Sequence, residues 1–473
     1  MIALRLALLM LCVPLAGLTL LDLLRCRPIG RASALGMGLA AGLAGTCLAL
    51  YLPLARDGGL HTGPVSLALL LGAAAQLPRL LTAAPARPRP LYLILTLGLA
   101  LLVQTVNSAP MRGYDAKAIY GIKAKALHHE GDLLGPVFQN PDVVHYHGDY
   151  PLGVPLLMAL SGRVVAGAAP DPRGAQPAPD AETWNARHDQ IEAYVPVATL
   201  WVLGLMALVA GAARRRVRSE LGAGLLLLTA LPLAMVMPFA VGRSWSWAGA
   251  DVPLVLLATA AAASACRLLR HPSSGRALLL VLLTAATLTL KNDALLLLLS
   301  LGAACVLAGP ARGRTHVALA LLAGAALGLA PVLLARRFGA SAPFDEQWLP
   351  ALLAATPASL AARLPALLSA VGRTLLERGL AVHIAGLLLL VLPLGLGRPG
   401  TSRVLALFTL FHLSGTTLLF LASPNVLAWH VDTALPRLWI HAAGPAALLL
   451  VDVLGRLWAA PPVPVPAITP QPE

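Results

Sequence analysis

The sequence predicts an all-α, polytopic integral membrane protein of about thirteen transmembrane helices. Three observations predict it. Hydrophobic residues make up 58% of the 473-residue chain and charged residues 12%, against about 45–50% and about 25% in an average soluble domain. Apolar runs of about 20 residues recur along nearly the whole length, each enough to cross the hydrocarbon layer as a helix. Arginine is concentrated in alternate connections, which is the pattern that orients a membrane protein.

The runs fall at 2–24, 33–55, 64–83, 90–108, 191–212, 221–241, 251–268, 277–290, 294–309, 316–335, 379–397, 402–421 and 438–457. The first has Arg5 near its start but no small-residue cleavage site, so it reads as a retained span. Residues 277–309 read as two short helices broken at Lys291-Asn292-Asp293. Each charge held at the bilayer centre would cost about 2.5–3.5 kcal/mol, so the triplet is expected at an interface. Arg25, Arg27 and Arg31, then Arg79, Arg87 and Arg89, then Arg214, Arg215, Arg216 and Arg218, then Arg267, Arg270 and Arg276, then Arg312 and Arg314, then Arg398 and Arg403 mark cytoplasmic connections. The other connections hold all four lysines and every acid except Asp22, Glu220, Asp452 and Glu473. They are expected outside.

The longest outer loop, 109–190, holds an expected amphipathic helix at 115–130 and a Pro/Ala/Asp-rich insert at 171–186. Pro151 to Ala169 is apolar but carries Arg163, which suggests an interfacial or re-entrant helix at the membrane surface. A second outer segment, 336–378, is amphipathic from Ala358 to Glu377. The organisation expected is therefore extra amino-terminal helices at 1–89, a catalytic membrane module at 90–457 and a disordered Pro-rich cytoplasmic tail at 458–473.

A formal net charge of +14 spread over many loops is an orientation signal and not a nucleic-acid signal; no nucleic-acid motif is present. Cys12, Cys26, Cys47, Cys266 and Cys305 lie in apolar segments or basic loops, a pattern without a disulfide framework. Abundant Arg and Ala beside only four lysines suggests a high-GC bacterial genome.

The candidate chemistry lies in the outer connections. Asp115 follows a span directly and is placed either to accept a proton from an acceptor hydroxyl or to cap the next helix. Lys117, Lys123 and Lys125 crowd beside it. His145, His147 and Asp149 have the residue types of a metal site but no visible further ligand, so hydrogen bonding from His147, Asp149 and Tyr150 is the preferred reading. Asp251 opens a span two residues before Pro253, good helix-start chemistry. The same connection carries Arg243 and Trp247, interface anchors or a sugar-stacking surface. Lys291 and His430 add polar groups at the same face. Arg437 heads the final span, where it either holds a phosphate bidentately or snorkels. Acids and cations gathered on one membrane face suit a reaction between a lipid phosphate and a hydroxyl: carboxylates serve the acceptor, and cations hold the leaving phosphate. Fixed cations do this without a metal, so no obligatory cofactor is expected.

Five blocks carry a resemblance: Tyr114-Asp115-Ala116 followed by Lys123-Ala124-Lys125-Ala126-Leu127; His147-Gly148-Asp149-Tyr150-Pro151-Leu152; Ala250-Asp251-Val252-Pro253-Leu254; Leu290-Lys291-Asn292-Asp293; and Trp429-His430-x-x-Thr433-x-x-x-Arg437-Leu438. Over roughly residues 90–457 the chain resembles the bacterial GT-C glycosyltransferases of the family 39 type, related to protein O-mannosyltransferases and the lipid A aminoarabinose transferase. It differs in its three extra amino-terminal helices, its Lys-Asn-Asp block and its Pro-rich insert. The resemblance implies a polyprenyl-phosphate sugar donor, an inverting displacement on the outer face of the bacterial cytoplasmic membrane, and Asp115 as general base. It implies that Lys117, Lys123, Lys125 and Arg437 contact the donor phosphate, and that Asp251 handles the acceptor or orders a loop. The acceptor is expected to be a glycan, lipid or protein. The alternative is a transporter or flippase for a lipid-linked or anionic substrate, which would place its charges near the bilayer midplane.

Overall fold

A computed structural model of the protein describes residues 2–28, 30–82, 98, 119–139, 150–166, 195–217, 219–231, 250–338, 351, 353–377, 379–423 and 426–458. Among these residues the regular elements are helices, and extended pairing is limited to one isolated antiparallel bridge between Gly59 and Asp132. The helices are α1 (Ile2–Leu23), α2 (Arg31–Asp57), α3 (Thr62–Ala74), α4 (Leu77–Thr82), α5 (Ile122–His129), α6 (Pro136–Gln139), α7 (Gly153–Ala166), α8 (Val195–Arg216) and α9 (Glu220–Leu231). They continue with α10 (Asp251–Arg270), α11 (Ser274–Leu288), α12 (Ala294–Ala308), α13 (Ala311–Ala335), α14 (Pro357–Glu377), α15 (Gly379–Leu396), α16 (Thr401–Ala422), α17 (Leu427–Ile440) and α18 (Ala443–Trp458).

Six helical segments among the described residues are long and apolar enough to cross a membrane: Arg31–Asp57, Thr62–Thr82, Pro253–Arg270, Ala311–Ala335, Thr401–Ala422 and Leu438–Trp458. Four shorter apolar helices accompany them. The protein is thus an all-α, multi-pass membrane protein; the expected span at 90–108 falls almost entirely outside the described residues. Hydrophobic residues divide by environment. Leu39, Val209, Leu256 and Leu449 are buried in a common core of α2, α8, α10 and α18, whereas Leu71, Leu81, Leu299, Leu322 and Leu389 point outward. An exposed row of leucines is tolerable only against lipid. The first two helices cross closely because glycines line the crossing. A Cβ on Gly17 would collide with the Gly38 carbonyl, and one on Gly42 with that of Val13. Small residues of this kind let backbones approach where lipid removes the hydrophobic drive between helices.

The stretch expected at the membrane surface, Pro151 to Ala169, is instead drawn into the bundle. Residues 151–162 are all buried, and α7 packs on α1, α2 and α5. Its start lies deep: Leu152 N donates to Tyr51 Oη at 3.3 Å, and Gly153 N to the Thr289 carbonyl at 2.8 Å. Its far end rises to the level of the α2 terminus, where Arg163 reaches the α5 carbonyls of Leu127 and His128 at 3.1 Å each. Arg163 is therefore a C-terminal cap for α5, which explains a charge inside an apolar run. Through residue 162 the segment is enclosed by protein.

The final apolar segment, Leu438–Trp458, contains a two-residue turn at His441-Ala442 between α17 and α18, and Arg437 stands in α17 immediately before it. The Lys291-Asn292-Asp293 break does separate α11 from α12; Lys291 is buried there, and Asn292 and Asp293 are partly exposed. The amphipathic helix α14 covers α16 and α17 with a small core of Leu367, Ala370, Phe420, Leu421, Val431 and Leu435, pinned by Arg363 to the Ser423 carbonyl at 2.7 Å. The bundle has two chemically distinct ends. The ends of α8 and α10 and the connections before α2 and α11 bring arginines together at one. At the other, about 30 Å along the 20 residues of α10, lie acids, lysines and histidines.

Candidate functional site

The second end holds an ionic cluster assembled from three backbone breaks. Asp251 is the first residue of α10. Lys291 and Asp293 sit in the turn between α11 and α12, where Ala294 N and Leu295 N close back on the carbonyls of Lys291 and Asn292 at 3.1 Å. His441 follows α17. It is brought to α10 by Gly444, where a Cβ would collide with the Thr259 hydroxyl. Lys291 Nζ lies 2.8 Å from Asp251 Oδ1 and 2.7 Å from Asp293 Oδ2. His441 Nε2 lies 2.8 Å from the same Asp251 oxygen. Lys291 is only 3% exposed.

Burial makes this arrangement consequential. A lone ammonium is costly in the interior, and only close carboxylates offset the loss of water. Asp293 does not cap α12 with its side chain; its carboxylate is turned to Lys291 instead. Asp251 Oδ1 takes both the ammonium and the imidazole, so this oxygen orients two partners and is not open to a hydroxyl proton. The bond to Asp251 assigns a proton to His441 Nε2. His441 Nδ1 has no hydrogen-bond partner among the described residues, and neither does Nδ1 of His412, whose ring lies 6.0 Å away. His412 Nε2 is held by the Leu438 carbonyl at 3.0 Å. The polar cluster thus extends from the first residue of α10 inward to α16.

The start of α7 is seated against this cluster. Gly153 abuts Thr289, two residues before Lys291, and a Cβ there would collide with the Thr289 carbonyl. Tyr150, just before α7, packs its ring 6.2 Å from that of Tyr120 at the deep end of the α5 segment. Lys123, one turn into this segment, is 2% exposed, and Lys125 is half-buried. The structure therefore ties Asp251, Lys291, Asp293 and His441 together and seats the start of α7 against that turn, while Lys123 and Lys125 lie on α5, which packs on α7. His430 joins the margin of the cluster on α17, its ring 4.5 Å from Phe420 and within electrostatic reach of Asp293. Arg437 lies on α17, but its side chain is outside the described residues, as are Asp115, Lys117, His147, Asp149, Arg243 and Trp247.

Among the described residues no three of His, Cys, Asp and Glu converge as metal ligands. All five cysteines are free and buried. Sequence reasoning missed His441 and His412. The available signal was a histidine inside each of two apolar runs, where an ionisable group needs a partner. No protein-family model matches the chain, and no curated protein or solved structure is significantly similar to it.

Proposed function

We propose that this protein is a membrane glycosyltransferase. It moves a sugar from a polyprenyl-phosphate donor to a hydroxyl of a glycan, lipid or protein at the outer face of a bacterial cytoplasmic membrane. The observation that carries the reading is the cluster in which Lys291 holds Asp251 and Asp293 and His441 meets the same Asp251 oxygen, with α7 seated against its turn. A cluster of ionisable groups of this kind marks a candidate functional site. Asp115 accepts the acceptor proton as its oxygen attacks the anomeric carbon. The bond from that carbon to the phosphate oxygen breaks with inversion, and the lipid phosphate leaves. Lys117, Lys123, Lys125 and Arg437 stabilise the charge on the departing phosphate, the larger catalytic contribution in such sites. Asp251, held by Lys291 and His441, positions the surrounding backbone. His147, Asp149, Arg243, Trp247 and His430 serve substrate binding.

The test is transfer from a panel of radiolabelled polyprenyl-phosphate sugars in proteoliposomes supplied with an acceptor-rich membrane extract. Asp115→Asn is expected to abolish transfer while leaving insertion intact, with a loss of at least about 10²-fold. Lys123→Gln is expected to weaken donor use. Equal transfer in wild type and Asp115→Asn removes Asp115 as the base.

One observation favours a second reading. Lys291 is a buried charge and His441 a buried ionisable group at interrupted helices, an arrangement that transporters use for substrates and coupling ions. Vectorial uptake of a lipid-linked or anionic substrate without formation of a glycosylated product would establish that reading and displace the first.

A further inference from the structure

We propose that the arginine-bearing end of the bundle contains a binding site for a phosphate-bearing ligand, separate from the acid–lysine cluster at the other end. A cavity of about 440 Å³ opens there between α8, α10, α11, α16 and α18. Its wall carries Arg27, Arg215, Arg216, Arg267, Arg270 and Arg276. The acid on that wall, Asp452, is already engaged by Arg216, by Arg456 at 3.3 Å and by the Ser402 hydroxyl. Arg27 is turned to Asp22 at 3.1 Å.

The other four guanidiniums keep donors in hand. Arg215 uses one nitrogen on Ser33 Oγ, Arg276 one on the His271 carbonyl at 2.6 Å, and Arg270 one on the Cys266 carbonyl at 3.3 Å. Arg267 makes no hydrogen bond or ion pair with any described residue. Orientation alone requires arginines at this end, but it does not require them to converge on a hollow with their forks unmatched. Four planar donors that no carboxylate among the described residues receives fit a dianionic phosphate, which takes guanidinium forks bidentately. Arg215 and Arg270 are exposed, so the site is open to solvent, while Leu208, Leu405 and Leu448 give it an apolar inner wall. A headgroup of an anionic lipid has this chemistry, and basic hollows between membrane helices are suited to it; a soluble phosphate ester or diphosphate shares it.

The experiment uses the full-length protein in phosphatidylcholine nanodiscs and follows its melting temperature. One arm titrates inorganic pyrophosphate; the other substitutes increasing cardiolipin into the discs. Wild type, Arg267→Gln, Arg267→Lys and Arg276→Gln are compared with Arg56→Gln, an exposed arginine at the opposite end. A saturable rise in melting temperature is expected with one probe. Half-saturation is expected to shift at least about tenfold in Arg267→Gln, the loss of one charge-assisted contact, with partial recovery in Arg267→Lys and no change in Arg56→Gln. A response to pyrophosphate in neutral discs assigns a soluble ligand, and a response to cardiolipin alone assigns a lipid. If Arg267→Gln does not fold, Arg276→Gln makes the same comparison. No saturable rise with either probe, or identical titrations in wild type and the arginine variants, overturns the proposal.

Discussion

Lys291 Nζ lies 2.8 Å from Asp251 Oδ1, joining two residues separated by 40 positions in the chain. One stands at the opening of α10 and the other at the break between α11 and α12. The contact fixes the height at which both helices begin relative to one another. Asp293 on the same ammonium and His441 on the same carboxylate extend this tie to α12 and α18.

Removing the central cation should be more harmful than removing the whole cluster. Lys291→Met leaves Asp293 without its cation and Asp251 with His441 as its remaining partner in the cluster, and a loss of up to about 3–5 kcal/mol is expected. The triple variant Lys291→Met/Asp251→Asn/Asp293→Asn should lose less than the single one. Reversible unfolding in detergent measures both, and a single variant within about 0.5 kcal/mol of wild type would show that the cluster is not a structural tie.

Gly153 should not accept a larger side chain. Its Cβ position is occupied by the Thr289 carbonyl and the Cys47 sulfur, so Gly153→Val must push α7 away from the Lys291 turn. The expected cost is about 1–3 kcal/mol, together with reduced transfer in the radiolabel assay. Gly63→Ala, at a position with nothing within 4 Å, is the matched control. Equal stability of the two variants would contradict the depth assigned to α7.

The α5–α7 contact should loosen in acid. Burial, reinforced by the neighbouring charges of His129 and Arg163, pushes His128 down to about 4 from an ordinary 6.5. Between these values the unfolded chain binds a proton that the folded one does not, so stability contributed by neutral His128 is present above about 6.5 and lost as the pH falls towards 4. Glu130, raised by burial, works in the opposite direction and is common to both proteins in the comparison. Limited proteolysis at pH 7.5 and pH 5 should show faster cleavage near residues 130–139 at the lower pH, with a smaller difference in His128→Gln. Identical pH dependence in the two proteins would remove His128 as the cause.

Thiol reagents should find little to modify in the native protein. All five cysteines are buried, and burial pushes the thiol of Cys26, which precedes α2, up to about 11. The nucleophilic thiolate is then scarce at neutral pH. Mass spectrometry after maleimide treatment is expected to show less than one label per chain natively and five after denaturation. Rapid native labelling of Cys26 would contradict its burial.

The apolar runs were legible because length and composition decide whether a helix suits lipid. The break at Lys291-Asn292-Asp293 was legible for the same reason, since the cost of charge in hydrocarbon is local information. Its partners were not. Asp251 lies 40 residues away and His441 lies 190 away from Asp251, and nothing in either segment names the other. Arg163 shows the limit most clearly. In sequence it argued against burial of 151–169, because the carbonyls that satisfy it belong to α5 and appear only once that helix is packed beside α7. The run 438–457 reads as one span by hydropathy; the turn at His441 that divides it follows from the contact to Asp251.

The turn after α2 and the turn after α5 exchange two backbone hydrogen bonds, Leu60 N to the Gly131 carbonyl at 2.7 Å and Leu133 N to the Gly58 carbonyl at 2.8 Å. These bonds stitch the amino-terminal helices to the segment that carries Lys123 and Lys125. A chain cut at residue 90 would leave that stitch with one edge, and α7 would lose Cys47 and Tyr51 as neighbours. Anyone transplanting the downstream module into another scaffold must carry residues 31–60 with it, as a second fragment supplied in trans if not in the same chain.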